Sequence, residues 1–166
     1  MNPYLSTIGY QGPNILLAII IVNLAWHHNT NPTIYLAVVG WQIASHLFNV
    51  VIKNTLKAPR PDSQPAEFDK LKETITLKNY LIIHRNFGMP SGHAQSVWSE
   101  LIFIALYFKS PLLTTAAAIQ TGITLWQRYK AHRHSLTQLA IGSLLGIGIG
   151  LGFYHIITNT SSSYLA

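Results

Sequence analysis

Lys53, Arg60, His93, Arg128 and His134 stand out in a chain of 166 residues of which only 10% are charged. An arginine can grip phosphate oxygens with two parallel N–H donors, and a lysine adds a compact fixed charge. Imidazole titrates near neutral pH, so two histidines can divide the roles of nucleophile and proton donor. Ser91 and Gly92 directly precede His93, in the run Pro90-Ser91-Gly92-His93. A helix opening there would turn free N–H groups and its dipole toward an anion, and Gly92 would let the backbone come close to it. These residue types suit a single task, holding a phosphoryl group and transferring it. The sequence offers no carboxylate cluster for a metal, which disfavours metal-assisted hydrolysis. It also has no cysteine, which excludes disulfides, thiolate catalysis and thiolate metal sites.

The elements that must position these residues are apolar. Hydrophobic residues make up 49% of the chain, and the charge deficit falls in long stretches of the kind a bilayer requires. Five such stretches predict membrane-spanning helices, from Pro13 to Trp26, Thr33 to Ile52, His93 to Phe108, Pro111 to Trp126 and Leu136 to Ile157. The fold class expected is all-α, a polytopic transmembrane bundle forming one domain over residues 1–166. Between the second and third spans, AEFDKLKETITL has Phe68, Leu71 and Ile75 near helical spacing. That pattern suits a helix lying on the membrane surface, and a solvated loop almost as well. Gly142, Gly146 and Gly150 recur every four residues in the fifth span, the pattern of a close helix-packing seam. Gly148 and Gly152 are offset from it, and Ala116-Ala117-Ala118 suggests a similar role in the fourth span.

Consecutive spans alternate in direction. The end of the second, the start of the third, the end of the fourth and the start of the fifth therefore share one membrane face. Lys53 and Arg60, then Ser91, Gly92 and His93, then Arg128 and His134 converge there from three distant segments. Basic residues at helix ends commonly just reach for lipid headgroups, and that account suffices for Lys57, Lys70, Lys72, Lys78, Lys130 and Arg133. It does not explain the matched set. The net charge of +6 is carried between spans rather than on a separate basic domain, which disfavours a nucleic-acid partner and points to an anionic membrane lipid.

The three segments together resemble a known signature. Lys53-x6-Arg60-Pro61, Pro90-Ser91-Gly92-His93 and Arg128-x5-His134 are similar to the three motifs of the type 2 phosphatidic acid phosphatase superfamily. They occur in order across residues 53–138, about half the chain. The resemblance implies that His134 is a nucleophile forming a phosphohistidine and that His93 protonates the leaving oxygen. It further implies that Lys53, Arg60, Ser91, Gly92 and Arg128 hold the phosphoryl group, with no cofactor. The usual family fold has six spans, of which five are legible here.

Two positions depart from the superfamily pattern. Gln127 stands where the third motif usually has Ser. Gln138 stands where it has an Asp four residues after the nucleophile. An Asp would orient the imidazole and stabilise its cation, whereas an amide can only orient it; in a serine-protease triad the comparable change costs about ten-thousandfold in rate. GMPSGHAQSVW (Gly88 to Trp98) and HSLTQLAIGSLLG (His134 to Gly146) resemble the dolichyl-diphosphatase branch more narrowly. That branch carries Gln at the position of Gln138, and Gln95 and Trp98 match it as well. A Ser is usual where Gly92 stands. The branch implies removal of the terminal phosphate of a polyprenyl diphosphate, with Gln138 as the residue that orients His134.

Two ionisable residues lie within spans and are functional candidates on that ground. Glu100 lies two turns below His93 on the same helix face, where it could reach the site or bond to another helix. His46 is placed similarly before Lys53. The N-terminal run MNPYLSTIGYQGPN has no Lys or Arg, so a retained first span is expected rather than a cleaved signal peptide. Ten of the eleven Lys and Arg fall on the face of the site and one, Lys109, on the other, which places the site in the cytosol. The branch resemblance instead implies a site facing the lumen of the endoplasmic reticulum. A homo-oligomer is compatible with the sequence. The competing functional class is a membrane scaffold or lipid-binding component that keeps the fold without turnover.

Overall fold

The computed structural model describes residues 3–27, 32–66, 68–69, 76, 80 and 84–163. Helices α1 (Pro3–Tyr10), α2 (Gly12–His27) and α3 (Pro32–Leu56) come first, followed by a 3-10 turn at His84–Asn86. Helices α4 (Gly92–Phe108), α5 (Pro111–Lys130) and α6 (Leu136–Ser163) complete the chain, and no strand occurs among the described residues. The protein is an all-α membrane bundle, and each of the five apolar stretches is a helix.

Two helices, Pro32–Leu56 and Leu136–Asn159, are long and apolar enough to cross a bilayer unaided. The first apolar stretch is not a lone short span: α1 and α2 together pass as one, bent by 58° at the break between them. The apolar pattern predicts no span before Pro13, so α1 is an addition the structure makes. Helix α4 has 17 residues, near the lower limit for a span. Helix α5 buries Gln120, Thr121, Thr124 and Gln127 against its neighbours, which lowers its hydropathy while its lipid-facing Leu112 and Ile119 stay exposed. Most of the expected surface helix in AEFDKLKETITL lies outside the described residues. Within it Phe68 is buried, with its ring edge-on to Phe87 at 5.9 Å.

Local chemistry sets the helix ends next to the site. Ser91 is the N-cap of α4 and accepts from the Ala94 N–H at 3.4 Å, as small hydroxyl residues do at this position. Ser110 caps α5 in the same way, with Pro111 in the first turn. At the start of α6 the Ser135 hydroxyl accepts from the Gln138 N–H (3.3 Å), and Gln138 Oε1 accepts from the Ser135 N–H (3.2 Å). This reciprocal pair is a capping box.

The apolar core occupies the end of the bundle away from the polar helix termini. Trp41 stacks on Phe153 (4.2 Å between centroids, 7° between planes), and Phe103 packs against both. Leu16, Ile20 and Leu24 of α2 close the same cluster. Trp41 lies twelve residues before Lys53 on α3, about 18 Å at 1.5 Å per residue. Helices α4 and α6 pack along most of their length through the glycine seam. A Cβ on Gly142 would sit 2.5 Å from the Ser91 carbonyl oxygen, and one on Gly150 2.6 Å from that of Ser99. One on Gly146 would run into the Gln95 carbonyl oxygen. Gly148 and Gly152 have nothing within 4 Å of that position. The seam fixes α6 against α4 and thereby the start of α6, beside His134, against the start of α4, which carries His93. In the alanine run only Ala117 is buried; Ala116 and Ala118 are exposed.

Candidate active site

Lys53, Arg60, Gly92, His93, Arg128 and His134 line one cavity of about 430 Å³. The ends of α3, α4 and α5 and the segment before α6 do meet on one face, as alternating spans require.

His134 is 3% exposed, and its Nδ1 lies 2.9 Å from the Gly88 carbonyl oxygen. A carbonyl can only accept, so Nδ1 carries the proton and Nε2 keeps a free lone pair on a ring that faces the cavity. Burial, followed by the nearby charges of Arg60, Lys53 and Arg128, pulls its pKa down from 6.5 to about 3; the Gly88 bond opposes them. The imidazole is therefore neutral at physiological pH, the state a nucleophile needs.

The orienting contact expected from Gln138 is made by Gly88 instead. Gln138 turns away from His134 because both ends of its amide are already committed. Oε1 closes the capping box, and Nε2 donates to the Pro59 carbonyl at 2.7 Å. Gln138 thus ties the segment carrying Arg60 to the start of α6. Its backbone carbonyl accepts from the Ser91 N–H at 3.1 Å. A Cβ on Gly88 would meet Gln138 Nε2 at 2.5 Å and the Pro59 carbonyl oxygen at 2.7 Å. Only glycine lets those segments approach this closely. Ser91 likewise differs from expectation. It is fully buried, with its N–H given to Gln138 and its hydroxyl to the helix cap, and it does not line the cavity.

Two of the cations are fixed by backbone carbonyls. Lys53 Nζ donates to Phe87 O at 2.7 Å. Arg60 donates from one terminal nitrogen to Arg133 O at 3.2 Å and from the other to Arg85 O, joining two loops. Burial foremost, then the charges of Arg133 and Arg128, lower its pKa from 12.5 to about 10, against the pull of Asp62. It stays charged. The buried Nε atoms of Arg60 and Arg128 have no hydrogen-bond partner among the described residues.

Several residues at the site were not found in the sequence. The Tyr10 ring lies 5.3 Å from that of His93 and 5.7 Å from the Arg128 guanidinium. Its backbone carbonyl accepts a hydrogen bond from His93. Tyr10 ends α1, which reaches the site because Gly9 packs on Gln127 and Gly12 on Thr124 of α5. Gln127, the departure from the third motif, is thus the floor under Gly9. Asn49 lines the cavity and donates to Gln95 Oε1 at 2.8 Å, while Gln95 donates to the Ser45 hydroxyl at 2.9 Å. His46, a candidate already from its place within a span, lines the cavity as well, edge-on to His84 at 5.4 Å. Arg85 and Arg133 complete the rim; a surface role was expected for Arg133. Glu100 does not reach the cavity. It accepts from Gln42 of α3 at 3.0 Å, which makes it a link between helices. Among the described residues no three His, Asp or Glu side chains group with metal-ligand spacing.

The family model described as the PAP2 superfamily matches residues 33–162, which includes every motif residue. A relative from Saccharomyces cerevisiae described as dolichyldiphosphatase is 26% identical over 170 residues. The alignment covers 94% of this chain and 65% of the relative, so the chain spans about two thirds of that protein's length. No solved structure matches the chain.

Proposed function

The chain belongs to the PAP2 superfamily, and from that premise we propose that it is a lipid phosphatase acting on a polyprenyl diphosphate or related lipid phosphate. The observation that carries this reading is the state of His134: Nδ1 is committed to Gly88 O, and Nε2 is left as a lone pair in a cavity lined by Lys53, Arg60 and Arg128. The similarity to a dolichyldiphosphatase supports a diphosphate substrate.

In the proposed mechanism Nε2 attacks the terminal phosphorus. An N–P bond forms and the P–O bond to the leaving group breaks, its electron pair going to that oxygen with a proton from His93. Water then attacks the phosphohistidine, His93 takes the water's proton, and the N–P bond breaks to restore His134 and release phosphate. Lys53, Arg60 and Arg128 offset the charge that builds on the equatorial oxygens. The Tyr10 carbonyl holds the His93 ring through both steps. No metal is required at any of them.

Two or three apolar helices fit a membrane protein. From the charge bias we place the site on the cytosolic side of an internal membrane such as the endoplasmic reticulum. A glycosylation acceptor inserted beside Gln64 should remain unmodified, and its modification would reverse that orientation. For the activity, the purified chain should release phosphate from a polyprenyl diphosphate in the presence of a chelator. His134→Ala should abolish the release, and so should His134→Asn, which keeps an N–H donor for Gly88 O and so preserves the fold at neutral pH. Absence of release from every lipid phosphate tried would refute the proposal and favour a non-catalytic membrane component.

A further inference from the structure

A second hollow of about 290 Å³ adjoins the catalytic cavity, and Arg60, Arg85 and Arg133 line both. Ser63, Asn86 and Asp62 supply its other polar walls. Two N–H groups of the Arg60 guanidinium donate to the carbonyls of Arg85 and Arg133. They thereby anchor the backbones of these two arginines at the boundary between the hollows. Their own side chains remain exposed. Arg133 is 47% exposed and, among the described residues, its side chain pairs only with Asp62, at 3.2 Å and itself 37% exposed; an exposed pair of this kind is worth little and is easily displaced. The Ser63 hydroxyl accepts from the Arg60 N–H at 3.2 Å, which leaves its own hydrogen to donate.

Charge decides what such a hollow would take. Lys53, Arg60 and Arg128 already supply three cations for the single phosphoryl group that His134 attacks. Two more arginines at the rim exceed that group's need, and Asp62 offsets only one. A lipid diphosphate has a second phosphate one bridging oxygen from the first. On cleavage, the terminal phosphoryl group passes to Nε2 and the bond pair stays on the oxygen of the lipid monophosphate. That leaving group is a phosphate whose second pKa is near ~6, so guanidinium groups can stabilise its departing charge. A lipid monophosphate would instead expel an alkoxide, which needs the proton of His93.

We propose that Arg85 and Arg133 form a subsite for the second phosphate of a lipid diphosphate, the one that stays with the lipid, and so select diphosphate over monophosphate. This rests on the phosphatase reading above and assigns its specificity to Arg85, outside the three motifs, and to Arg133, at a variable position of the third.

The test compares kcat/KM of the full chain in detergent for farnesyl diphosphate and farnesyl monophosphate. In Arg85→Ala and Arg133→Ala the ratio of diphosphate to monophosphate should fall at least tenfold, with part of it restored in Arg133→Lys. A fall shared equally by both substrates, or an unchanged ratio, overturns the subsite. A calorimetric titration with methylenediphosphonate and with inorganic phosphate reads the same site without turnover. The wild type should prefer the diphosphonate, and both alanine variants should lose that preference. If the wild type hydrolyses neither lipid, the phosphatase reading fails, and the titration alone decides. A preference that is absent, or that survives both substitutions, overturns the subsite.

Discussion

The pH dependence of stability tests the state of His134 most directly. Its pKa falls from 6.5 in an open chain to about 3 in the fold. The unfolded chain therefore binds a proton over a range where the folded one does not, and stability must drop as pH falls. The contribution is intact above pH 6.5 and is lost progressively down to about pH 3. At about 1.4 kcal/mol per pH unit, the full effect is about 5 kcal/mol, of which about 2 kcal/mol is gone by pH 5. For a chain of this size that corresponds to a melting point lowered by about 4–8 °C. The assay is thermal unfolding in detergent from pH 7 to pH 4, comparing the wild type with His134→Asn. Asparagine keeps an N–H donor for Gly88 O but cannot titrate, so other acid-sensitive groups cancel in the comparison. The wild type should lose the additional stability and the variant should not. Saturating inorganic phosphate should reduce the loss, because it offsets the charges of Arg60, Lys53 and Arg128 that help to depress the pKa. Parallel curves for the two proteins would refute the buried neutral imidazole, and with it the assignment of the lone pair to Nε2.

Further outcomes follow from individual contacts. Gln138→Glu removes the N–H donor to Pro59 O and sets a carboxylate against that carbonyl. It should cost about 1–3 kcal/mol and lower phosphate release with it; an unchanged melting point would show that this tie is not needed. Gly146→Ala drives a methyl into the backbone of α4 and should cost about 1–3 kcal/mol by overpacking. Gly148→Ala, with open space around it, should be neutral or gain up to about 1 kcal/mol, so equal effects at the two positions would contradict the seam. Glu100→Gln keeps a carbonyl oxygen to accept from Gln42, and phosphate release should stay within about twofold of the wild type. A large loss would bring Glu100 into the mechanism after all.

The amino-acid sequence by itself determined the class of fold and the convergence of its main polar residues on one face. Apolar runs of about bilayer length leave a chain little choice but to form helices, because backbone polar groups in lipid must pair within their own segment. Alternating direction then brings Lys53, Arg60, His93, Arg128 and His134 to one face. These are one-dimensional constraints and can be read from spacing. The partners of each residue cannot. The tie of His134 to Gly88, the hold of Lys53 by Phe87, and the bonds from Arg60 to Arg85 and Arg133 all end on backbone carbonyls, which every residue possesses and no sequence pattern marks. Tyr10 was hidden for a related reason. It reaches His93 only because the break between α1 and α2 lets Gly9 and Gly12 lie against α5, a matter of fit between distant helices. The Gln138 side chain did carry a local signal, since Ser135-x-x-Gln138 is a capping-box pattern. Its second bond, to Pro59, is long-range, and only the tertiary structure shows why an amide is the group that fits there.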